Sequence, residues 1–89
     1  MLACGLSNVA ADDDQTLARK LRASGEILPL ENIAARAQAI KPGELLETEL
    51  EHKHGRYIYE VEILDKTGQV WELKLDARTA ELLKLERDD

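Results

Sequence analysis

Residues 57–83 decide the fold of this chain, and they read YIYEVEILDKTGQVWELKLDARTAELL. Apolar and polar residues alternate through two runs, which residues 65–68 (DKTG) separate. Such alternation is typical of strands that have one buried face and one solvated face. The stretch therefore predicts an antiparallel hairpin, and the turn-like residues 75–79 (LDART) predict a further turn after it.

The same period of two predicts one more strand on either side of this hairpin. Glu47, Glu49 and Glu51 share the outward side of the first strand. The predicted inward residues are Leu46, Thr48 and Leu50 on the first strand, Tyr57, Tyr59, Val61 and Ile63 on the second, Trp71, Leu73 and Leu75 on the third, and Leu83 and Leu85 on the fourth.

The register of the first two hairpins follows from parity, because a slip by one residue would turn the apolar side of a strand toward solvent. A two-residue loop at His54 and Gly55 and a three-residue loop at residues 66–68 keep the apolar sides together. The pairs that result are Lys53 with Arg56, Leu50 with Tyr59, Thr48 with Val61, Ile63 with Trp71, Val61 with Leu73 and Tyr59 with Leu75.

The third hairpin is predicted by the same logic. A loop at residues 78–80 pairs Leu75 with Leu83 and places Ala80 in the left-handed region. A β-carbon is unfavourable there, so glycine would suit this position better. We therefore expect Ala80→Gly to stabilise the fold slightly.

A short helix is predicted before the sheet, within residues 12–26. Leu17 and Leu21 lie four residues apart and form a narrow apolar stripe. The acidic residues 12–14 suit the start of a helix and Gly25 suits its end. The basic residues Arg19, Lys20 and Arg22 are interpreted as a solvated face.

The main helix is predicted to begin near Pro29, which fits a first helical turn, and to end before Pro42. Its apolar residues recur at helical spacing; they are Leu30, Ile33, Ala34, Ala37 and Ile40. Two helices followed by short hairpins predict an α+β fold, with both helices packed on one face of a four-stranded antiparallel meander.

Residues 27–89 resemble the PepSY domain. The resemblance rests on the apolar helix, on Tyr59-x-Val61-x-Ile63, on the turn from Asp65 to Gly68 and on residues 75–79. One departure is visible at position 80, where the family usually has glycine. The resemblance implies a small extracytoplasmic module that binds or regulates and does not catalyse, and it supplies no catalytic residues.

The first eleven residues carry no charge and meet Asp12 abruptly. Small residues before Asp12 favour a remnant of a signal peptide, cleaved after Ala11, and hence a periplasmic or secreted protein. Two alternatives remain: lipid attachment at Cys4, which would anchor the protein, and a disordered cytosolic terminus.

Composition excludes several classes of function. Twelve basic and eighteen acidic side chains give a net charge of -6, which disfavours nucleic acid as a partner. The single cysteine precludes an internal disulfide, and no segment has the length of apolar sequence that a bilayer span needs. No nucleophile–base set, phosphate loop or cofactor motif is present, so the sequence predicts a non-catalytic protein without a cofactor.

The predicted register gathers acidic side chains on the outward side of the sheet. They are Glu47, Glu49, Glu60, Glu62 and Glu72, with Lys74 beside them. Directly opposed like charges are destabilising, so the group is a candidate binding face for a cation or a basic peptide. The alternative interpretation is an ordinary solvated face.

His52 and His54 have the only spacing that suggests a metal site, and they are weak candidates because the turn separates them. Three functions therefore stay open: a periplasmic module that regulates a sensor or envelope protein, an inhibitor that acts on a peptidase in trans, and a weak binder of metal or cations. Each implies a protein, peptide or cation partner, and we expect a monomer or a weak dimer.

Overall fold

The computed structural model describes residues 9–88, and their side chains from Gln15 onward. Cys4 and the rest of the first eight residues therefore lie outside the described part of the chain. The helices are α1 (Val9–Ser24) and α2 (Leu30–Ile40), and the strands are β1 (Glu44–Lys53), β2 (Arg56–Leu64), β3 (Val70–Asp76) and β4 (Leu82–Arg87). The strands form one antiparallel sheet in the order β1-β2-β3-β4. The predicted α+β meander is confirmed.

The first two hairpins have the predicted register. Leu50 pairs with Tyr59, and Ile63 pairs with Trp71. His54 and Gly55 both have positive φ, at 53° and 73°, as a two-residue type I′ turn requires. The right-handed twist of such a turn therefore sets how β1 lies on β2.

A bulge in β1 overturns one predicted core residue. Leu45, and not Leu46, lies opposite Ile63 and packs against the core, whereas Leu46 is 46% exposed. The extra residue between Leu45 and Glu47 changes the alternation at the start of the strand. A strict period of two could not reveal this shift.

A second bulge changes the predicted register between β3 and β4. Leu75 pairs with Leu82 and not with Leu83, although Leu73 pairs with Leu85 as the same predicted register requires. Leu82 consequently packs against the core, while Leu83 is exposed. The predicted inward position of Leu83 is therefore wrong.

The turn before β4 explains this bulge. Ala80 has φ 67°, as predicted, and its amide donates to the Asp76 carbonyl at 2.7 Å. The Asp76 carboxylate accepts the amide of Arg78 at 2.8 Å, and the Asp76 amide donates to the Glu81 carbonyl. These bonds hold a compact corner whose alanine methyl is buried in the core.

Asp65 organises the turn between β2 and β3. Its Oδ1 accepts the amides of Thr67 and Gln69 at 2.9 and 3.0 Å and the Thr67 hydroxyl at 2.7 Å, and its Oδ2 accepts the Trp71 indole N–H at 2.8 Å. These donors hold the pKa of Asp65 well below its usual range, the Thr67 hydroxyl contributing most. Lys41 also lies over the Trp71 ring, 3.8 Å from its centroid.

The helices cover only part of the inner face of the sheet. Ile33 and Ala37 of α2 are fully buried, and α2 packs over β1, β2 and β3. Among the described side chains of α1, Ala18 and Leu21 are buried, whereas Leu17 is 41% exposed. The predicted inward position is therefore confirmed for Leu21 and wrong for Leu17. The apolar core consequently lies between α2 and the two central strands.

Candidate binding face

The outward side of the sheet presents one glutamate from each strand in a single line. Glu47 lies opposite Glu62, Glu62 opposite Glu72, and Glu72 opposite Glu86. We call these four residues the acidic row. Strands lie about 4.8 Å apart, so the row spans roughly 14 Å. Asp88, which follows β4, adds a further negative charge that acts on Glu62.

A mixed row lies beside the acidic row, two residues along each strand. It consists of Glu49, Glu60, Lys74 and Lys84. The Lys74 ammonium lies 3.9 Å from Glu60 Oε2 and 3.8 Å from Glu51 Oε1. The structure therefore divides the five predicted glutamates: Glu60 has a lysine partner. The other four, Glu47, Glu49, Glu62 and Glu72, each lie opposite a glutamate on a neighbouring strand.

Glu60 and Glu72 are diagonal neighbours on the outer side of β2 and β3, and each perturbs the ionisation of the other. A hydrogen bond with Glu60, followed by burial and the charge of Glu60, raises the pKa of Glu72 to about 7. The same hydrogen bond lowers the pKa of Glu60. Glu72 is thus the member of the pair that holds the proton as the pH falls below neutrality.

Glu62 is perturbed in the same direction as Glu72. Burial, and then the charges of Glu47, Asp88 and Glu60, raise its pKa. Glu62 and Glu72, the two central members of the acidic row, therefore ionise less readily than an isolated glutamate. A cation placed over the row would lower both pKa values and favour ionisation.

The comparison with known proteins yields one family. The model of the PepSY family, described as the peptidase propeptide and YPEB domain, matches residues 27–86, which is most of the chain. The chain belongs to the PepSY family. No curated protein and no solved structure matches it.

PepSY domains are generally non-catalytic modules of the propeptide or inhibitor type, and they interact with proteins. They are typically extracellular or periplasmic. In the part of this PepSY protein that the structure describes, neither helix combines the length and apolar character that crossing a bilayer demands.

The weak histidine candidates do not come together as metal ligands. His52 stacks on Tyr57, with ring centroids 4.3 Å apart, and His54 lies in the turn. Among the described residues, the ligand atoms that do converge belong to Glu49, Glu51 and Glu60, within 4.8 Å of one another. Because the Lys74 ammonium already lies against two of the three, Glu51 and Glu60, the geometry favours an internal ion pair over a metal ion.

Sequence reasoning missed Glu86 and the role of Lys74. The predicted register of β3 on β4 places residue 72 opposite residue 86, so following it one strand further would have found Glu86. Lys74 was predicted beside the acidic residues, but its contact with Glu51 depends on side-chain direction. Spacing in the sequence does not contain that information.

A groove lies between α1 and the edge strand β1. Its volume is about 380 Å³, and its lining includes Arg19, Arg22, Glu49 and Tyr59. Arg22 Nη1 donates to the Tyr59 hydroxyl at 2.7 Å. Part of the predicted solvated basic face thus contacts the sheet.

Proposed function

We propose that this protein is an extracytoplasmic binding module that regulates a partner protein by holding a basic segment of it on the acidic row. The observation that supports the proposal is the unbroken line of four glutamates across all four strands. The PepSY family supports a protein partner. In this proposal binding changes the activity of the partner, whereas a purely structural binding domain would only hold the partner in place.

Physical chemistry favours a basic ligand at this site. Opposed like charges in a sheet are destabilising, so the free protein holds an arrangement that a cation would relieve. In an extended segment, side chains on one side recur about every 6.8 Å, so two or three lysines or arginines can lie over a row of roughly 14 Å. Such binding weakens as salt rises, because exposed charges are screened beyond about 8 Å at physiological ionic strength.

The test compares two double charge reversals that change the net charge equally. Glu62→Lys with Glu72→Lys inverts the centre of the acidic row. Glu31→Lys with Glu81→Lys inverts two exposed glutamates elsewhere. We expect wild-type and control proteins to capture the same partner from an envelope extract, and the row variant to lose it. Equal capture by all three folded proteins would leave the acidic row an ordinary solvated face.

A second candidate function is inhibition of a peptidase in trans, which the family description itself favours because it includes peptidase propeptides. The measurement is hydrolysis of casein by secreted peptidases of the source organism, with and without the purified protein. Dose-dependent inhibition that the row variant loses would make the partner a peptidase. Unchanged hydrolysis would leave only the regulatory role.

Extracytoplasmic location is part of the proposal. Processing after Ala11 would cut within α1, which begins at Val9, and would leave the rest of that helix on the mature protein. Intact mass of the protein recovered from periplasm tests this boundary. Retention of Met1 or lipid on Cys4 would contradict it.

A further inference from the structure

In the part of the chain that the structure describes, no strand pairs with the outer edge of β4, and this free edge has features of an interface. Leu83 and Leu85 are 36% and 40% exposed, although both belong to a strand of the sheet. Strand β3 covers the other edge of β4, and α2 packs over β1, β2 and β3. An apolar edge strand of this kind invites pairing with another strand.

Hydrogen bonding shows which backbone groups face this free edge. The Asp88 amide donates to the Val70 carbonyl at 2.8 Å, which marks residues 70 and 88 as a hydrogen-bonded pair of the antiparallel ladder. Such pairs alternate with pairs that do not exchange hydrogen bonds. The N–H and C=O groups of Leu85 therefore point away from β3, toward the free edge.

The charges of β4 are mismatched within the molecule. Lys84 lies opposite Lys74, and Glu86 lies opposite Glu72, so both outward side chains of β4 face a like charge on β3. Their own ion pair, at 3.5 Å, is well exposed to solvent. An opposite charge supplied from the free edge would improve the surroundings of both residues.

We propose that a second copy of this chain binds here, with the two β4 strands antiparallel about a two-fold axis at Leu85. In this register Leu85 pairs with the partner's Leu85, and the outward-pointing backbone groups of both strands exchange hydrogen bonds. Lys84 then lies opposite Glu86 of the partner subunit, and Glu86 opposite the partner's Lys84. The acidic row of one protomer continues into the mixed row of the other.

The neighbouring registers are less favourable. Shifting the axis by one residue toward the start of β4 opposes Lys84 to the partner's Lys84. Shifting it by one residue the other way opposes Glu86 to the partner's Glu86. Strand β1 cannot self-pair as well, because its outward residues 47, 49 and 51 are all glutamates and would meet like charges.

Two single reversals and their combinations test the inference by sedimentation from about 5 to 500 µM. Lys84→Glu and Glu86→Lys each create two like-charge pairs across the axis, and we expect each to weaken self-association by roughly tenfold. The double variant restores opposite charges and should dimerise like wild type. A mixture of the two single variants should form a heterodimer, since every pair across that axis is then opposite in charge.

The single variants are expected to stay folded, because each also replaces a like-charge pair between β3 and β4 with an opposite-charge pair. Lost association therefore reports on the interface. A wild-type protein that is monomeric at every concentration would overturn the inference. Lys84 and Glu86 would then be charged residues that prevent other strands from pairing with this edge. Equal dimerisation of all variants would place the interface elsewhere and would also overturn it.

Discussion

The two faces of the sheet follow different physical rules within the same strands. Along β2, Val61 and Ile63 are fully buried on the inner face, while Glu60 and Glu62, which alternate with them, lie on the outer face. Apolar burial stabilises the inner face, whereas the outer face places like charges opposite each other. The inner face thus explains why the chain folds, and the outer face is where we propose that stability is given up for binding.

Removing an inner side chain should have the largest effect. Ile63 is fully buried, so Ile63→Ala should lower the free energy of unfolding by about 2 to 5 kcal/mol. Its neighbour Glu62 provides the control: Glu62→Gln should change that free energy by less than about 0.5 kcal/mol, or increase it. Urea unfolding followed by Trp71 fluorescence measures both. Similar losses at the two positions would contradict the division into faces.

The second-largest effect is expected at Asp65, which accepts a hydrogen bond from Trp71 at one end of the inner face. Asp65→Ala removes the acceptor of these hydrogen bonds, so the urea midpoint should fall, though by less than in Ile63→Ala. Because the pKa of Asp65 is lowered in the folded state, its contribution is present above the unfolded pKa and is lost as the pH falls. The difference between wild type and variant should therefore narrow in acid. A constant difference down to pH 2 would contradict the role of its charge.

Glu72→Gln should show a smaller effect of the opposite sign on the outer face. The folded-state pKa of Glu72 is raised, so the protonated form stabilises the fold below pH 4.5, and this stability is lost as the pH rises through about 7. Above pH 7 the variant should be more stable than wild type, by roughly 0.5 to 1 kcal/mol. Urea midpoints between pH 5 and 8 measure the trend, with Glu81→Gln as an exposed control. A difference that shrinks with rising pH would contradict the assigned proton.

The smallest effect is expected at Ala80. Glycine relieves left-handed strain of about 1 kcal/mol but frees the unfolded chain. The structure adds a third contribution, because the Ala80 methyl is buried and its loss costs about 0.8 kcal/mol. The relief of strain should therefore be nearly offset by the other two contributions. In place of the slight stabilisation expected from sequence, we expect the urea midpoint of Ala80→Gly to lie close to that of wild type. A change above about 1.5 kcal/mol in either direction would show that one contribution is misjudged.

Sequence patterns predicted the elements, the strand order and most of the register, because a period of two and turn residues such as Gly55 and Gly68 are local signals. In the strands the errors lie at Leu46 and Leu83, where a bulge inserts one residue, and in α1 the error lies at Leu17. Those bulges depend on backbone hydrogen bonds at the corners and on which leucine reaches the core. Alternation alone does not encode either.

The outer face was predictable only in part. The register placed Glu47, Glu62 and Glu72 in line from the sequence, and the structure agrees. Spacing in the sequence did not show which glutamates have a lysine partner, because the contacts of Lys74 with Glu51 and Glu60 depend on rotamers. The raised pKa of Glu72 likewise depends on the distance between its carboxylate and that of Glu60.

The most direct test of the outer face measures stability and binding in one variant, Glu62→Gln with Glu72→Gln. Removing both charges should raise the urea midpoint at pH 8 and, at the same time, weaken retention of a lysine-rich extended peptide at low salt. Opposite changes in the two quantities are the result that a binding face predicts. A variant that is more stable and binds the peptide as wild type does would show that the acidic row is not the site.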